Sequence, residues 1–235
     1  MKNFKRFPSI EQFRSVVKQV KDTSSYVGKD EDGKPIFDYT RPLPTITFTG
    51  TVKLHGTNAA IGYSKKDGLW CQSRERILSI EKDNAGFAFW VESNKEYWTD
   101  ILGSLVSPPF DYDAVMVYGE WAGGNIQKGV GLSETNKAFY PFYLEYTIEG
   151  EVVKKVTTPL VDTQDNWLYK EDIGVYAITT FETHQMDIDF NCPELVQNKL
   201  AEITEAVENE CPVAKYFGVS GIGEGVVWTA EWNNQ

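Results

Sequence analysis

From Thr45 to Leu54 the chain alternates: Ile46, Phe48, Val52 and Leu54 project to one side, and Thr45, Thr47, Thr49, Thr51 and Lys53 to the other. A period of two predicts a half-buried strand, ending with Lys53 on its polar face just before a glycine turn. Upstream, Ile10, Phe13, Val16, Val17 and Val20 recur at helical spacing. Ser9 and Gln12 are spaced as a capping box, so a helix is expected to open at Pro8-Ser9. Asp22 to Pro44 is polar and punctuated by Gly28, Gly33, Pro35, Pro42 and Pro44, which reads as loop with short strands.

Strands are expected at Ala59–Ser64 and Leu69–Arg74 across a Lys66-Asp67-Gly68 turn, and at Ala114–Trp121. Phe87, Trp90, Val91, Trp98, Ile101, Leu102 and Leu105 predict one helix over much of Asn84–Leu105. A hairpin is expected from Phe139–Ile148 and Glu151–Pro159 across Glu149-Gly150. A helix should start at Pro193 and carry Leu195, Val196, Leu200, Ile203 and Val207; a strand at Gly225–Trp228 follows. Hairpin-linked strands with helices between them indicate an α+β fold with largely antiparallel sheets and flanking helices. No repeat, low-complexity tract or linker divides it.

With 235 residues, 41% of them hydrophobic and 14% aromatic, the chain can bury a sizeable core and is not of disordered type. No apolar run has the ~20 residues that span a bilayer. Met1–Arg6 leads into Phe7-Pro8-Ser9 rather than an apolar signal core. The expected setting is therefore cytoplasmic (host cytoplasm, were the chain phage-encoded), with no membrane partner. Cys71, Cys192 and Cys211 cannot all pair and match no zinc spacing, so reduced thiols are expected. His55 and His184 are too few and too far apart for a histidine metal site. The net charge of −11 opposes non-specific attraction to nucleic acid, so any RNA contact requires a local basic patch.

Four segments carry candidate chemistry. Lys53-Leu54-His55-Gly56-Thr57-Asn58 places an amine at a strand end beside a glycine turn, where it can meet a phosphate. Ser73-Arg74-Glu75-Arg76 closes a later strand. Val117-Tyr118-Gly119-Glu120-Trp121-Ala122-Gly123-Gly124, continuing through Ile126-Gln127-Lys128, sets Glu120 at the end of an apolar strand before a glycine-rich loop. Gly223-Glu224-Gly225-Val226-Val227-Trp228 sets a glutamate between glycines at a strand entry. Each has an ordinary reading: a solvated lysine, a charged strand end, a strand–loop junction, a tight turn. Their joint order along the chain is what carries the argument.

In that order and spacing the four segments resemble the covalent nucleotidyltransferases, the superfamily of ligases and capping enzymes. Within it, the chain resembles the RNA ligase 2 family of phage-type ATP-dependent RNA ligases, on His55 in the lysine motif and on Ile126-Gln127-Lys128. The likeness runs from about Thr51 to Trp228. It implies that residues 1–235 form one nucleotidyltransferase (adenylation) domain using ATP and Mg2+. Lys53 would attack the α-phosphate and carry AMP. The AMP would pass to an RNA 5′-phosphate, and an RNA 3′-hydroxyl would then displace it to seal a 5′–3′ phosphodiester. By the same resemblance Asn58 would contact the nucleotide or the RNA end, and Arg74 the ribose or phosphate. Glu120 would bind the ribose hydroxyls, Phe142 would stack on adenine, and Glu224 would assist metal-dependent chemistry at the α-phosphate. No residue is assigned as a dedicated metal ligand.

The chain departs from that pattern twice. Val52 stands where the family typically has a glutamate that helps recognise adenine. The family's final K-x-K strand has no counterpart, because no Lys or Arg follows Lys215. On this basis the domain is expected to be truncated at its C-terminal end and to form lysyl-AMP slowly or not at all. DNA ligation or guanylyl capping, and a non-catalytic nucleotide- or RNA-binding module, are the alternative readings. For Phe142, a core aromatic is the rival role.

Overall fold

The computed structural model describes residues 4–157 and 168–232. Helix α1 (Phe13–Ser25) leads into a small hairpin, β1 (Tyr26–Lys29) and β2 (Pro35–Phe37). Strand β3 (Thr45–Val52) follows, then β4 (Thr57–Ser64) and β5 (Gly68–Ser73), helices α2 (Phe87–Ser93) and α3 (Lys95–Leu105), and β6 (Ala114–Ala122). Strands β7 (Ala138–Ile148) and β8 (Glu151–Thr157) form the expected hairpin, with positive φ at both Glu149 and Gly150. The Pro159 end of that expected hairpin lies outside the described residues. Short strands β9 (Tyr169–Lys170) and β10 (Val175–Tyr176) precede β11 (Thr183–Asp189). A 3-10 turn at Pro193–Val196 runs into α4 (Gln197–Asn209), then α5 (Pro212–Tyr216) and β12 (Val226–Thr229).

These elements make an α+β architecture. A seven-stranded sheet has the order β5-β4-β6-β7-β10-β9, with β8 also on β7. Its pairings are antiparallel except the single β10–β7 pair. A second, antiparallel sheet has the order β11-β3-β12. Among the described residues no helix is long and apolar enough to cross a membrane.

Helices α2 and α3 cover one face of the large sheet, burying Phe87, Trp98 and Leu102 against Val115, Val117, Trp121 and Phe139. A seven-residue helix has little intrinsic stability in water, so this packing is what holds α2. Its first turn is also satisfied from outside, since the Asp83 carboxylate accepts the N–H groups of Ala88 (2.7 Å) and Phe89 (3.0 Å). The apolar side of β3 (Ile46 and Phe48) packs with Val20 of α1 and with Ile188 and Phe190. Val52 belongs to a different cluster, with Ala122, Leu132, Tyr140, Val207 and Val213. The end of β3 is thereby anchored between the two sheets, and Lys53 with it.

Two local expectations are corrected. Helix α1 starts at Phe13, not at Pro8-Ser9; Ser9 makes no cap and Ile10 is 59% exposed. The cause is tertiary: Phe7 is docked against the rings of Tyr118, Phe142 and Tyr143, and the chain crosses from there to Phe13 outside any helix. The expected single helix over Asn84–Leu105 is two. Asn94 breaks it with φ −115° and ψ 26°, its side-chain amide donating to the Trp90 carbonyl (2.8 Å). With the break, α2 buries Phe87 and α3 buries Trp98 in the same cluster against the sheet.

Gly62 in β4 shows how closely the opposite face of the sheet is packed. A Cβ there would lie 2.3 Å from the Trp70 ring and 2.4 Å from the Met116 sulfur. Gly62→Ala is expected to lower unfolding stability by roughly 1–3 kcal/mol, the usual cost of an extra methyl in a filled core. Chemical denaturation of the two proteins checks it; an unchanged midpoint contradicts this packing.

Candidate active site

Lys53 leaves β3 beside β12, and its backbone N–H donates to the Gly225 carbonyl (2.9 Å). That bond brings the glutamate preceding Gly225 alongside the lysine, and the Lys53 amine donates to the Glu224 carboxylate in a very short ion pair. The Lys53 side chain is 37% exposed and that of Glu224 30%, so the pair borders solvent while its backbone is fixed in a sheet. A gap of about 10 Å³ beside them is lined by Leu54, His55, Leu132, Cys211 and Ile222.

Gly56 is the turn residue, and the reason is space. A Cβ at that position would lie 2.5 Å from the Trp121 carbonyl oxygen and 2.6 Å from the Ala122 side chain. Close approach to β6 in turn allows the Gly56 N–H to donate to Glu120 Oε1 (3.2 Å). The Gln127 side-chain amide donates to the Gly56 carbonyl (3.3 Å), tying the glycine-rich loop after β6 to the same turn. The turn after Lys53 is thus held at both its N–H and its C=O.

Asn58 and Glu120 are direct cross-strand partners in β4 and β6, and Tyr140 of β7 lies opposite Glu120. Burial pushes the Glu120 carboxyl up to about 8; the neighbouring Glu224 charge adds to this, while the Gly56 N–H, Arg74 and Lys53 oppose it. Those causes place Lys53, Arg74 and Glu224 each within electrostatic reach of Glu120. Arg74, just beyond β5, is exposed and makes no ion pair or hydrogen bond among the described residues, so its guanidinium is available to an anion.

Phe142 reaches this region because of a bulge. Pairing between β6 and β7 shifts at Tyr118/Gly119, from Tyr118↔Tyr143 to Gly119↔Pro141. The bulge leaves Phe142 and Tyr143 packed on the same side of the sheet, both against the Tyr118 cluster. Phe142 is half-buried and also touches the cluster that contains Val52 and Leu54, the two neighbours of Lys53. Its position therefore combines the core role and an accessible ring edge.

The six predicted residues fall in one region; four are linked by charge, Asn58 by register and Phe142 by packing. Sequence reasoning gave no role to Gln127 or to the Gly225 carbonyl, although both lie within the segments it singled out. It also missed Asn84, whose amide donates to Thr57 Oγ1 (2.9 Å) and braces the same turn. A larger cavity of about 700 Å³ lies elsewhere, lined by Trp90, Glu134, Lys137, Asp172, Tyr176 and Phe217, and it contains none of the six. The charge constellation, rather than cavity size, singles out the candidate site. Among the described residues no group of three or more His, Cys, Asp or Glu could cage a metal. The Glu224 carboxylate, which borders solvent, fits a divalent cation held chiefly by substrate phosphates.

The model of the family described as RNA ligase matches residues 46–234. Among solved structures the chain is similar to Naegleria gruberi RNA ligase with PPi, at 18% identity and TM-score 0.54, covering 97% of this chain and 52% of that one. It is similar at the same identity and score to a lysine-to-methionine variant of the Naegleria enzyme with AMP and Mn, covering 95% and 52%. A lysine-to-alanine variant with ATP and Mn matches at 16% identity and TM-score 0.54, with 95% and 52% covered. At these identities the likeness establishes the fold, and the chain spans about half the length of those structures. Comparison with curated proteins returned no match. With a family match that runs through all six site residues, the chain belongs to the RNA ligase family.

Proposed function

We propose that the chain is the adenylylating core of an ATP-dependent RNA ligase, with Lys53 as its nucleophile. The observation that carries this reading is the Lys53 amine at a strand end, paired with Glu224 and within electrostatic reach of Glu120, which Arg74 also reaches. The amine would form an N–P bond to the α-phosphorus of ATP as the bond to the β-phosphate oxygen breaks and pyrophosphate leaves. The amine's proton would pass along the Glu224 contact to solvent. Arg74 would neutralise phosphate charge, and the Glu120 carboxyl, with Asn58 beside it, would bind the ribose hydroxyls. The Phe142 ring would support the base. Glu224 would help hold a divalent cation, which would supply further charge neutralisation and favour the unprotonated amine.

The later steps would move AMP to an RNA 5′-phosphate and then let an RNA 3′-hydroxyl displace it. Both are in-line substitutions at phosphorus, which positioning and charge neutralisation accelerate. The site's inventory of Lys, Arg and Glu suits that demand.

Incubation with ATP and Mg2+ followed by intact-mass measurement tests the first step: a gain of one AMP is expected, and a slow one, because no Lys or Arg follows Lys215 to stabilise the phosphate charge. Lys53→Ala should abolish it. Lys53→Arg should abolish it too while preserving the pairing with Glu224, because guanidinium stays protonated and is not a nucleophile. An adduct that survives Lys53→Arg would place the nucleophile elsewhere, and binding of ATP with no adduct in the wild type would favour a non-catalytic module.

Glu120 gives an independent titration. Its folded pKa of about 8 exceeds the ordinary 4.5, so the native state keeps a proton that the unfolded chain has released. This contribution to stability is fully present below about 4.5, declines as pH rises toward 8, and is lost above it. Melting curves of the ligand-free protein across that window should show the decline, and Glu120→Gln should flatten it. Parallel curves for the two proteins would contradict the burial of this carboxyl.

A further inference from the structure

The segment before α1 is strapped across the outer face of the large sheet. The Lys5 carbonyl accepts hydrogen bonds from the Gln72 amide (2.6 Å) and the Tyr118 hydroxyl (3.2 Å), and the Lys5 N–H donates to Gln72 Oε1 (3.4 Å). Gln72 and Tyr118 are each 1% exposed. A buried amide bonded at both ends to Lys5 would be left with unmet donors and acceptors were the strap to leave, so the strap is an integral part of the sheet. Lys5 Nζ pairs with Glu145 (2.6 Å) and Arg6 with Glu75 (2.7 Å), one on either side.

This anchoring delivers one side chain. The Phe7 ring lies 5.1 Å from Tyr118, 5.2 Å edge-on to Phe142 and 5.3 Å edge-on to Tyr143, centroid to centroid. Phe142 and Tyr143 are the two residues that the bulge brings to a common side. A half-buried ring on a bulge has fewer neighbours to fix it than one in a regular strand, and Phe7 supplies an aromatic wall.

We propose that Phe7 is a positioning residue of the nucleotide site, holding the Phe142 ring in the orientation that receives the base. This rests on the reading of Phe142 as the base platform. It extends the site to a segment more than 130 positions away in sequence from that platform. The effect should fall on the base and not on the phosphates, because the strap meets the site through the Phe7–Phe142 contact, and none of its hydrogen bonds, ion pairs or ring contacts given above involves Lys53, Arg74, Glu120 or Glu224.

Calorimetric titration of the full chain with ATP and, separately, with inorganic pyrophosphate tests the proposal. Phe7→Ala is expected to weaken ATP by ~3- to 10-fold, the scale of one aromatic contact, and to leave pyrophosphate unchanged. Phe7→Tyr should restore ATP affinity, and Phe7→Leu, which keeps the volume filled, should fall between. Phe142→Ala serves as reference. Loss of ATP affinity in Phe142→Ala without loss in Phe7→Ala or Phe7→Leu overturns the role of Phe7 alone. Equal weakening of ATP and pyrophosphate in the Phe7 variants reduces that role to general support and overturns it too. No change in Phe142→Ala overturns the platform reading and the proposal together.

Discussion

The site depends on a single juncture, where the end of β3 meets the entry of β12 and the Lys53 amine meets the Glu224 carboxylate. As a stabilising interaction this pair is minor. Both side chains are about one-third exposed, and ion pairs of that kind contribute between nothing and about 1 kcal/mol. Its significance is positional. The Lys53 N–H bond to Gly225 and the burial of Val52 fix the backbone from which the amine is presented. Glu120 lies within electrostatic reach of it, its carboxyl pushed up to about 8 by burial, and is held by the same turn that follows the lysine.

Much of this was legible in the sequence because it depends on local rules. The alternation from Thr45 to Leu54 could place Lys53 at a strand end without tertiary information. Glycine at position 56 signalled a turn; the close approach to Trp121 and Ala122 that requires it became visible only in the fold. The antiparallel α+β class followed from short strands and turn residues. What remained hidden depends on residues distant in sequence. The start of α1 is set by where Phe7 docks, and the break at Asn94 by the sheet beneath it. The bulge that turns Phe142 is a property of pairing with β6, which no periodicity in β7 alone reveals.

The acidic balance of the chain is also resolved locally. Lys5, Lys65, Lys95, Lys199 and Lys215 are each engaged with a carboxylate. Arg74, and Lys128 next to Gln127, have no such partner among the described residues. A net charge of −11 therefore coexists with cations left open beside the glycine turn, where a triphosphate or an RNA end would need them.

A structure of the chain with a non-hydrolysable ATP analogue and a divalent cation would test the account most directly. The expected result is the Lys53 amine released from Glu224 and standing about 3–3.5 Å from the α-phosphorus, in line with the leaving oxygen, with the ribose on Glu120. A nucleotide lodged instead in the cavity beside Trp90 and Tyr176, with the lysine still on Glu224, would contradict it.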